Sequence, residues 1–284
     1  MKLSRLIMAA VALAGAALAA GCGNAPPTAG DPAASYAPDE LVLRVRTAGG
    51  MVPVSLFVTG LPQISVYGDG RVITTGPVPE IYPGPALPNV QLRRISPADV
   101  RSLVKRALEA GVGDSEDLGT PNVADAPTTS IAVRTATGLA TTDATALSFD
   151  DSSGLSGGQQ QARKRLRDLV RSLDDLPGTL GKDKVSEPVA YEPGLIAAVA
   201  REWVPSQGGR PEDPPAIDWP AALLPGDPIP NRTGVHCLTT PAAPILAAAR
   251  GANARTPWVS GATRWTVDFR PLLPGESTCA DLAK

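Results

Sequence analysis

Apolar residues recur at every second position of Leu41–Arg46, where Leu41, Leu43 and Val45 share a face, and that period predicts a half-buried strand. Gln63–Tyr67 and Arg71–Thr75 are two β-rich runs on either side of Gly68-Asp69-Gly70, which predicts a hairpin. Gly76–Pro88 is dense in proline, which cannot donate to a ladder, so it reads as a surface loop. The period then changes to that of a helix. Ser96 can cap, Pro97 suits the first helical position and Asp99 completes a capping-box spacing. Val100, Leu103, Val104, Ala107 and Leu108 build one apolar face, and Gly111 ends it.

A second hairpin is predicted from Ser130–Arg134 and Ala144–Phe149, joined through the small, polar run around Gly138. A second helix runs from Gly157 to Leu176 with Ala162, Leu166, Leu169, Val170 and Leu173 on one side, and Pro177-Gly178 ends it. After a polar joint at 181–187, Val189–Val204 holds a strand, although Ile196–Ala200 reads as strand or helix on periodicity alone. Residues 210–230 form a proline-dense excursion around Trp219. Pro241–Arg250 predicts a third helix with Thr240 as cap and Gly251 as stop, and Arg264–Phe269 alternates as a last strand. Hairpins interleaved with helices predict an α+β fold: a mainly antiparallel sheet, about three helices packed on it, and long Pro/Gly-rich loops.

Composition sharpens this picture. The chain is 43% apolar, enough for a core, but 28 glycines and 30 prolines make it loop-rich. Its net charge is −2, so there is no electrostatic case for a nucleic-acid partner. Residues 41–180 read as one α+β region, and 185–284 as another, either a second domain or part of the first.

The N-terminus shows a different pattern. Met1–Arg5 carries two basic residues, and Leu6–Ala20 is an uncharged apolar run shorter than the roughly 20 residues of a membrane span. The run ends in Leu18-Ala19-Ala20-Gly21-Cys22, which resembles the lipobox of bacterial lipoproteins, with alanine at the third position before the cysteine. That resemblance implies a signal peptide over 1–21 and an acylated Cys22 as the mature N-terminus. It implies an extracytoplasmic protein lipid-anchored at the outer face of the cell membrane. The alternative is an ordinary secretory signal with Cys22 incidental. Residues 22–40 then form the lipid anchor and a flexible tether, since GNAPPTAGDPAASYAP has no apolar period. With Cys22 acylated, the remaining cysteines, Cys237 and Cys279, pair as a disulfide outside the cytoplasm, or stay as buried thiols. His236 is the sole histidine and there is no C-x-x-C spacing, so no metal site and no cofactor is expected.

Val66–Ile73, Ile81–Pro85 and Arg270–Pro274 together resemble a family of exported actinobacterial proteins with no assigned activity. This second resemblance implies an envelope location and supplies no site residues.

Candidate chemistry is sparse. Gly154-Leu155-Ser156-Gly157-Gly158 matches G-x-S-x-G, and Asp213, Asp218 and Asp227 precede His236 in the order of an α/β-hydrolase triad. The polar lead-in Asp150–Ser153 is wrong for a nucleophile elbow, and Ser156 with Gln159 makes a capping box. Arg163, Arg167 and Arg171, spaced by four, share a helix face with Lys164 and Arg165 nearby. They form a solvated face, or a contact for anionic lipid headgroups or acidic wall polymers. Asp150 and Asp151 beside Ser152 and Ser153 are too short a run for calcium. Trp203, Trp219, Trp258 and Trp265 either line a groove or pack in the core. Asn231-Arg232-Thr233 matches a glycosylation acceptor by accident.

With no convincing catalytic constellation, no catalytic residue is assigned. The expected function is a lipid-anchored envelope protein, a non-catalytic binding or accessory module for an envelope protein or polymer. The alternatives are a serine hydrolase using Ser156 and His236, and a carrier of a small apolar or lipidic ligand.

Overall fold

The structure, a computed structural model, describes residues 35–53, 55–149, 153–205 and 213–282. The signal segment, Cys22 and the acidic run Asp150, Asp151 and Ser152 lie outside the described residues.

The first half opens with β1 (Leu41–Gly49), a one-turn helix α1 (Leu56–Thr59), the hairpin of β2 (Ile64–Tyr67) and β3 (Arg71–Thr75), and β4 (Val90–Arg94). Helix α2 (Pro97–Glu109) follows, then the hairpin of β5 (Pro127–Thr135) and β6 (Gly138–Thr145). Helices α3 (Gly157–Asp174) and α4 (Leu176–Leu180) lead to β7 (Val189–Ala190). These strands form a seven-stranded antiparallel sheet in the order β6-β5-β1-β2-β3-β4-β7.

The second half comprises β8 (Leu195–Glu202), β9 (Ile217–Asp218), β10 (Asp227–Pro228), β11 (His236–Pro241), α5 (Ala242–Ala248), β12 (Trp258–Ser260) and β13 (Thr263–Pro271). They make a six-stranded sheet ordered β10-β11-β8-β13-β12-β9, antiparallel except between β12 and β9. The fold is therefore α+β with mainly antiparallel pairing, built on two sheets rather than one. Among the described residues three helices, α2, α3 and α5, have seven residues or more. The change of sheet falls between Ala190 and Leu195.

Local sequence explains most of these elements. In the β2–β3 turn Gly70 has φ +85, and a Cβ there would sit 2.1 Å from the Ile95 carbonyl oxygen, so only glycine fits. The Ser96 hydroxyl accepts the Asp99 N–H at 3.1 Å, starting α2. Its end is a Schellman motif: Val112 N–H donates to Ala107 O, Gly111 N–H to Leu108 O, and Gly111 has φ +93. At α3, Ser156 and Gln159 form a full capping box, with bonds of 2.8 and 3.3 Å.

Three expectations need correction. Pro177-Gly178 does not end the second helix; α3 stops at Asp174, and Asp175 caps α4 by accepting the Gly178 N–H at 3.0 Å. Proline is tolerated in that first turn because its missing N–H would be unbonded there. The second hairpin turns at Ala136-Thr137, and β6 ends at Thr145 rather than running to Phe149. Its sequence GLATTDAT lacks apolar bulk and is held by pairs such as Thr128–Thr145, whose hydroxyls lie 3.0 Å apart. Thr240 does not cap α5: it is a buried residue of β11, opposite Ile196, and Pro241 stands at the cap.

Ile196–Ala200 is a strand because it is the interior of β8, flanked by β11 and β13 and buried on both faces. Ile196, Ala198 and Ala200 meet α5 residues Ala242 and Ile245 and the ring triad of Trp219, Trp258 and Phe269. Trp258 sits edge-on to the other two rings at 5.6 and 5.4 Å, a favoured aromatic geometry. Ala197 and Val199 face the opposite way, against Val58 of α1, Leu272 and Leu282.

Helices α2 and α3 cover one face of the first sheet through Leu103, Val104, Leu166 and Leu169. The other face turns toward the second sheet, with Tyr67, Ile73 and Val90 packed on Leu273. The Tyr191 hydroxyl donates to the Leu272 carbonyl at 2.8 Å across this seam. An ion pair between the buried Arg270 and the half-buried Glu276 closes the same region. Arg270 Nη2 lies 2.9 Å from Glu276 Oε1, and the Leu273 N–H donates to Glu276 Oε2 at 2.7 Å. Burial pulls the Arg270 guanidinium down and Glu276 opposes that pull. Burial above all, with Glu276 next, raises the neighbouring Tyr67 hydroxyl above its ordinary range.

The C-terminal segment is also held covalently. Cys237 on β11 is disulfide-bonded to Cys279, with Cα atoms 6.1 Å apart. The Cys279 N–H donates to the Thr239 hydroxyl at 3.0 Å. A disulfide of this kind fits an exported protein. No helix among the described residues is long and apolar enough to cross a membrane.

Candidate functional site

Helix α3 rests on an apolar stretch of the first sheet formed by Val45, Ile64, Val66, Val72, Ile131 and Val133. One pleat further along the same face the character changes. Thr47 stands opposite Thr129, and Thr74 opposite Gln91, where continued alternation would place core residues. Polar side chains at inward positions need partners or water. Here they floor a groove. Two adjoining clefts of about 440 and 280 Å³ share Gln63 and Asp174, and together they run beside the C-terminal half of α3. Their sheet side is Thr47, Gln63, Thr74, Gln91, Arg93 and Thr129; their helix side is Arg167, Val170, Arg171 and Asp174.

The floor is ordered by its own bonds. Thr47 donates to Gln63 Oε1 at 3.1 Å, and the Thr47 and Thr129 hydroxyls lie 3.1 Å apart. Arg93 Nη1 donates to the Ser186 carbonyl at 2.9 Å. On the wall, Arg171 lies 3.2 Å from Asp168 Oδ1, but Lys164 takes the same carboxylate at 2.6 Å. The Lys164 hydrogen bond is the main reason the Asp168 carboxyl is held below its usual range, with Arg171 and Arg167 adding to it. Asp174 behaves oppositely, its carboxyl raised by burial against the groove. Three guanidinium groups and one carboxyl among the lining residues leave the groove net positive. Such a lining donates hydrogen bonds to anionic oxygens through arginine and exchanges them with hydroxyl groups through threonine and glutamine.

The residues singled out from the sequence are distributed differently. The helix-face arginines separate: Arg163 is 1% exposed, so it is no part of a solvated basic face. Its guanidinium donates to Thr145 O at 2.7 Å and Leu118 O at 3.4 Å, and burial lowers its pKa. Arg167 and Arg171 reach the groove. Arg165 and Lys164 are paired with Glu116 and Asp168.

Ser156 and His236 are not brought together. Ser156 caps α3 outside the first sheet, whereas His236 lies on β11 of the second, its Nδ1 buried without a hydrogen-bond partner. Asp213 is engaged by Arg255 at 2.6 Å. Trp219 and Trp258 are core residues, and Trp203 stacks under Arg264 at 5.4 Å, so the tryptophans do not form a common groove. Sequence reasoning missed Thr47, Gln63, Thr74, Gln91, Arg93, Thr129 and Asp174. The available signal was a polar residue at the next inward position of a strand, as at Thr47 after Leu43 and Val45.

No protein-family model, no curated protein and no solved structure matches this chain.

Proposed function

We propose that this chain is a lipid-anchored binding module of the outer face of a cell membrane, held by an acylated Cys22, and that its α3 groove takes an acidic, hydroxyl-rich polymer of the envelope. The observation that carries the reading is the groove itself: a hydroxyl- and amide-lined floor of the first sheet facing Arg167 and Arg171. An open trough accepts a chain passing through. Its polar lining suits a hydrophilic ligand better than a small apolar or lipidic one. The Cys237–Cys279 disulfide accords with export, and the cleavage pattern ending at Cys22 supplies the anchor. The role is non-catalytic, because Ser156 is committed to capping and the groove offers recognition chemistry.

The test is co-sedimentation with purified peptidoglycan carrying its covalently attached acidic polysaccharide. A charge-assisted hydrogen bond contributes about 1.5–3 kcal/mol, so Arg167→Gln or Arg171→Gln should each weaken binding by about tenfold or more. The double variant Arg167→Glu/Arg171→Glu should abolish it while leaving the circular dichroism unchanged. Added salt should weaken the wild-type interaction. Equal retention of wild type and the double variant would contradict the assignment.

A further inference from the structure

Exposed apolar side chains gather at one end of the first sheet. The pairing registers set Gly49, Thr75, Val90, Pro127 and Thr145 at that end, whereas the chain enters β1 from the other, at Leu41. Three loops leave the end marked by Gly49: the segment between β1 and β2, the segment between β3 and β4, and the one after β6. Each carries large apolar groups in the open. Met51 and Leu56 are 88% and 47% exposed, Val78, Ile81 and Tyr82 are 61%, 62% and 72% exposed, and Phe149 is 41% exposed. Among the described residues, the large hydrophobics exposed outside these loops are Val189, Val204 and Leu223. A single exposed valine or leucine is ordinary, but a rim of them at one end marks an interaction surface.

The β3–β4 segment is held in shape with these groups outward. The Ile81 N–H donates to Pro79 O at 2.9 Å, Asn89 Nδ2 to Pro77 O at 2.8 Å, and the Ala254 N–H to Gly84 O at 2.8 Å. Pro77, Pro79, Pro83 and Pro85 have no N–H, so few backbone donors in this loop would lose water on entering an apolar medium. Tyr82, apolar in its ring and polar at its tip, suits a boundary between hydrocarbon and water. Positive charge adjoins the rim. Pro77 lines the smaller cleft of the α3 groove and Ser148 the larger, which puts these loops beside the arginine-bearing groove of Arg93, Arg167 and Arg171. Asp174 opposes them within the groove, and Glu80 is the acidic residue of the β3–β4 tip. A carboxylate is costly to bury, so Glu80 keeps the tip at headgroup depth. Apolar tips with cations alongside match a bilayer, whose hydrocarbon lies just beneath its phosphates, more closely than they match an apolar protein surface.

We propose that this end of the first sheet docks on a lipid bilayer with anionic headgroups: Met51, Val78, Ile81 and Tyr82 enter the interface, and Arg167 and Arg171 meet the headgroup phosphates. The contact lies at the end of the sheet away from Leu41 and is separate from an acyl group on Cys22. It rests on the charge of the α3 groove and not on the polymer assigned to that groove.

The experiment uses the full mature chain with Cys22→Ser, so that no acyl group contributes. The protein is sedimented with vesicles of phosphatidylcholine alone and of phosphatidylcholine with phosphatidylglycerol. Binding to the mixed vesicles is expected, with binding to phosphatidylcholine alone weaker by about tenfold or more. Val78→Asn/Ile81→Asn changes two exposed side chains and should weaken binding to the mixed vesicles by about tenfold or more, with unchanged circular dichroism. The same variant should bind the acidic wall polymer as the wild type does, which separates the rim from the groove. A polarity-sensitive fluorophore on Ile81→Cys should shift to the blue with the mixed vesicles. The same probe on Thr137→Cys, exposed in the β5–β6 turn at the opposite end of the sheet, should not respond. No binding to the mixed vesicles, equal binding to both kinds, binding that Val78→Asn/Ile81→Asn retains, or equal response of the two probes would overturn the proposal. Loss of polymer binding alone, with the vesicle results as expected, would remove the groove's assignment and support this one.

Discussion

Glu276→Ala should lower the unfolding free energy by about 3–5 kcal/mol, because it leaves the Arg270 charge buried without its partner. Arg270 is 2% exposed, and Glu276 Oε1 lies 2.9 Å from its Nη2. The other carboxylate oxygen accepts the Leu273 N–H, so the variant also orphans a backbone donor in the turn after β13. Glu276→Gln keeps an acceptor for that N–H and should cost less. The pairwise origin is checked by Arg270→Met/Glu276→Leu, which removes both charges and should recover most of the loss. Urea unfolding of the four proteins measures this. Equal stability of wild type and Glu276→Ala would show that the pair is not formed.

Loss of the disulfide is the second large effect. Opening the link between Cys237 and Cys279, 42 residues apart, frees the unfolded chain by about 4 kcal/mol on the chain-entropy model. Cys279→Ser, or reduction of the wild type, should shift the denaturant midpoint accordingly. A second reason for a large effect is that Cys279 begins the last turn, Cys279–Leu282, which carries the buried Leu282 against Ala197 and Val199. The two effects should not add. Glu276 and Cys279 hold the same C-terminal segment, so the double variant should lose less than the sum, as expected for neighbours sharing one local structure. Reductant that leaves the midpoint unmoved would mean that the segment is held by packing alone.

Legibility followed the range of the interaction. Helices α2 and α3 were readable because capping and periodicity lie within a few residues: Ser96 with Asp99, and Ser156 with Gln159. The β2–β3 hairpin was readable for the same reason, through Gly68-Asp69-Gly70. What failed needs distant partners. β4 (VQLRR) and β11 (HCLTTP) carry weak strand signals and exist because β3 and β8 pair with them. Helical spacing placed Arg163 on a basic face, but the carbonyls of Leu118 and of Thr145, at the end of β6, that it bonds come from 45 and 18 residues away. The groove was invisible for a related reason. Thr47, Gln91 and Arg93 lie outside the strands that periodicity predicts, and only the pairing register places them on the helix side of the sheet.

The proposed function presupposes a chain that reaches the outer face of the membrane and is kept there. The most direct measurement is intact and peptide mass spectrometry of the protein extracted from the membrane fraction without reductant. The account predicts an N-terminus at Cys22 carrying a diacylglyceryl group, together with a linked pair of peptides containing Cys237 and Cys279. A chain that starts elsewhere, or a free thiol at Cys22, would contradict it.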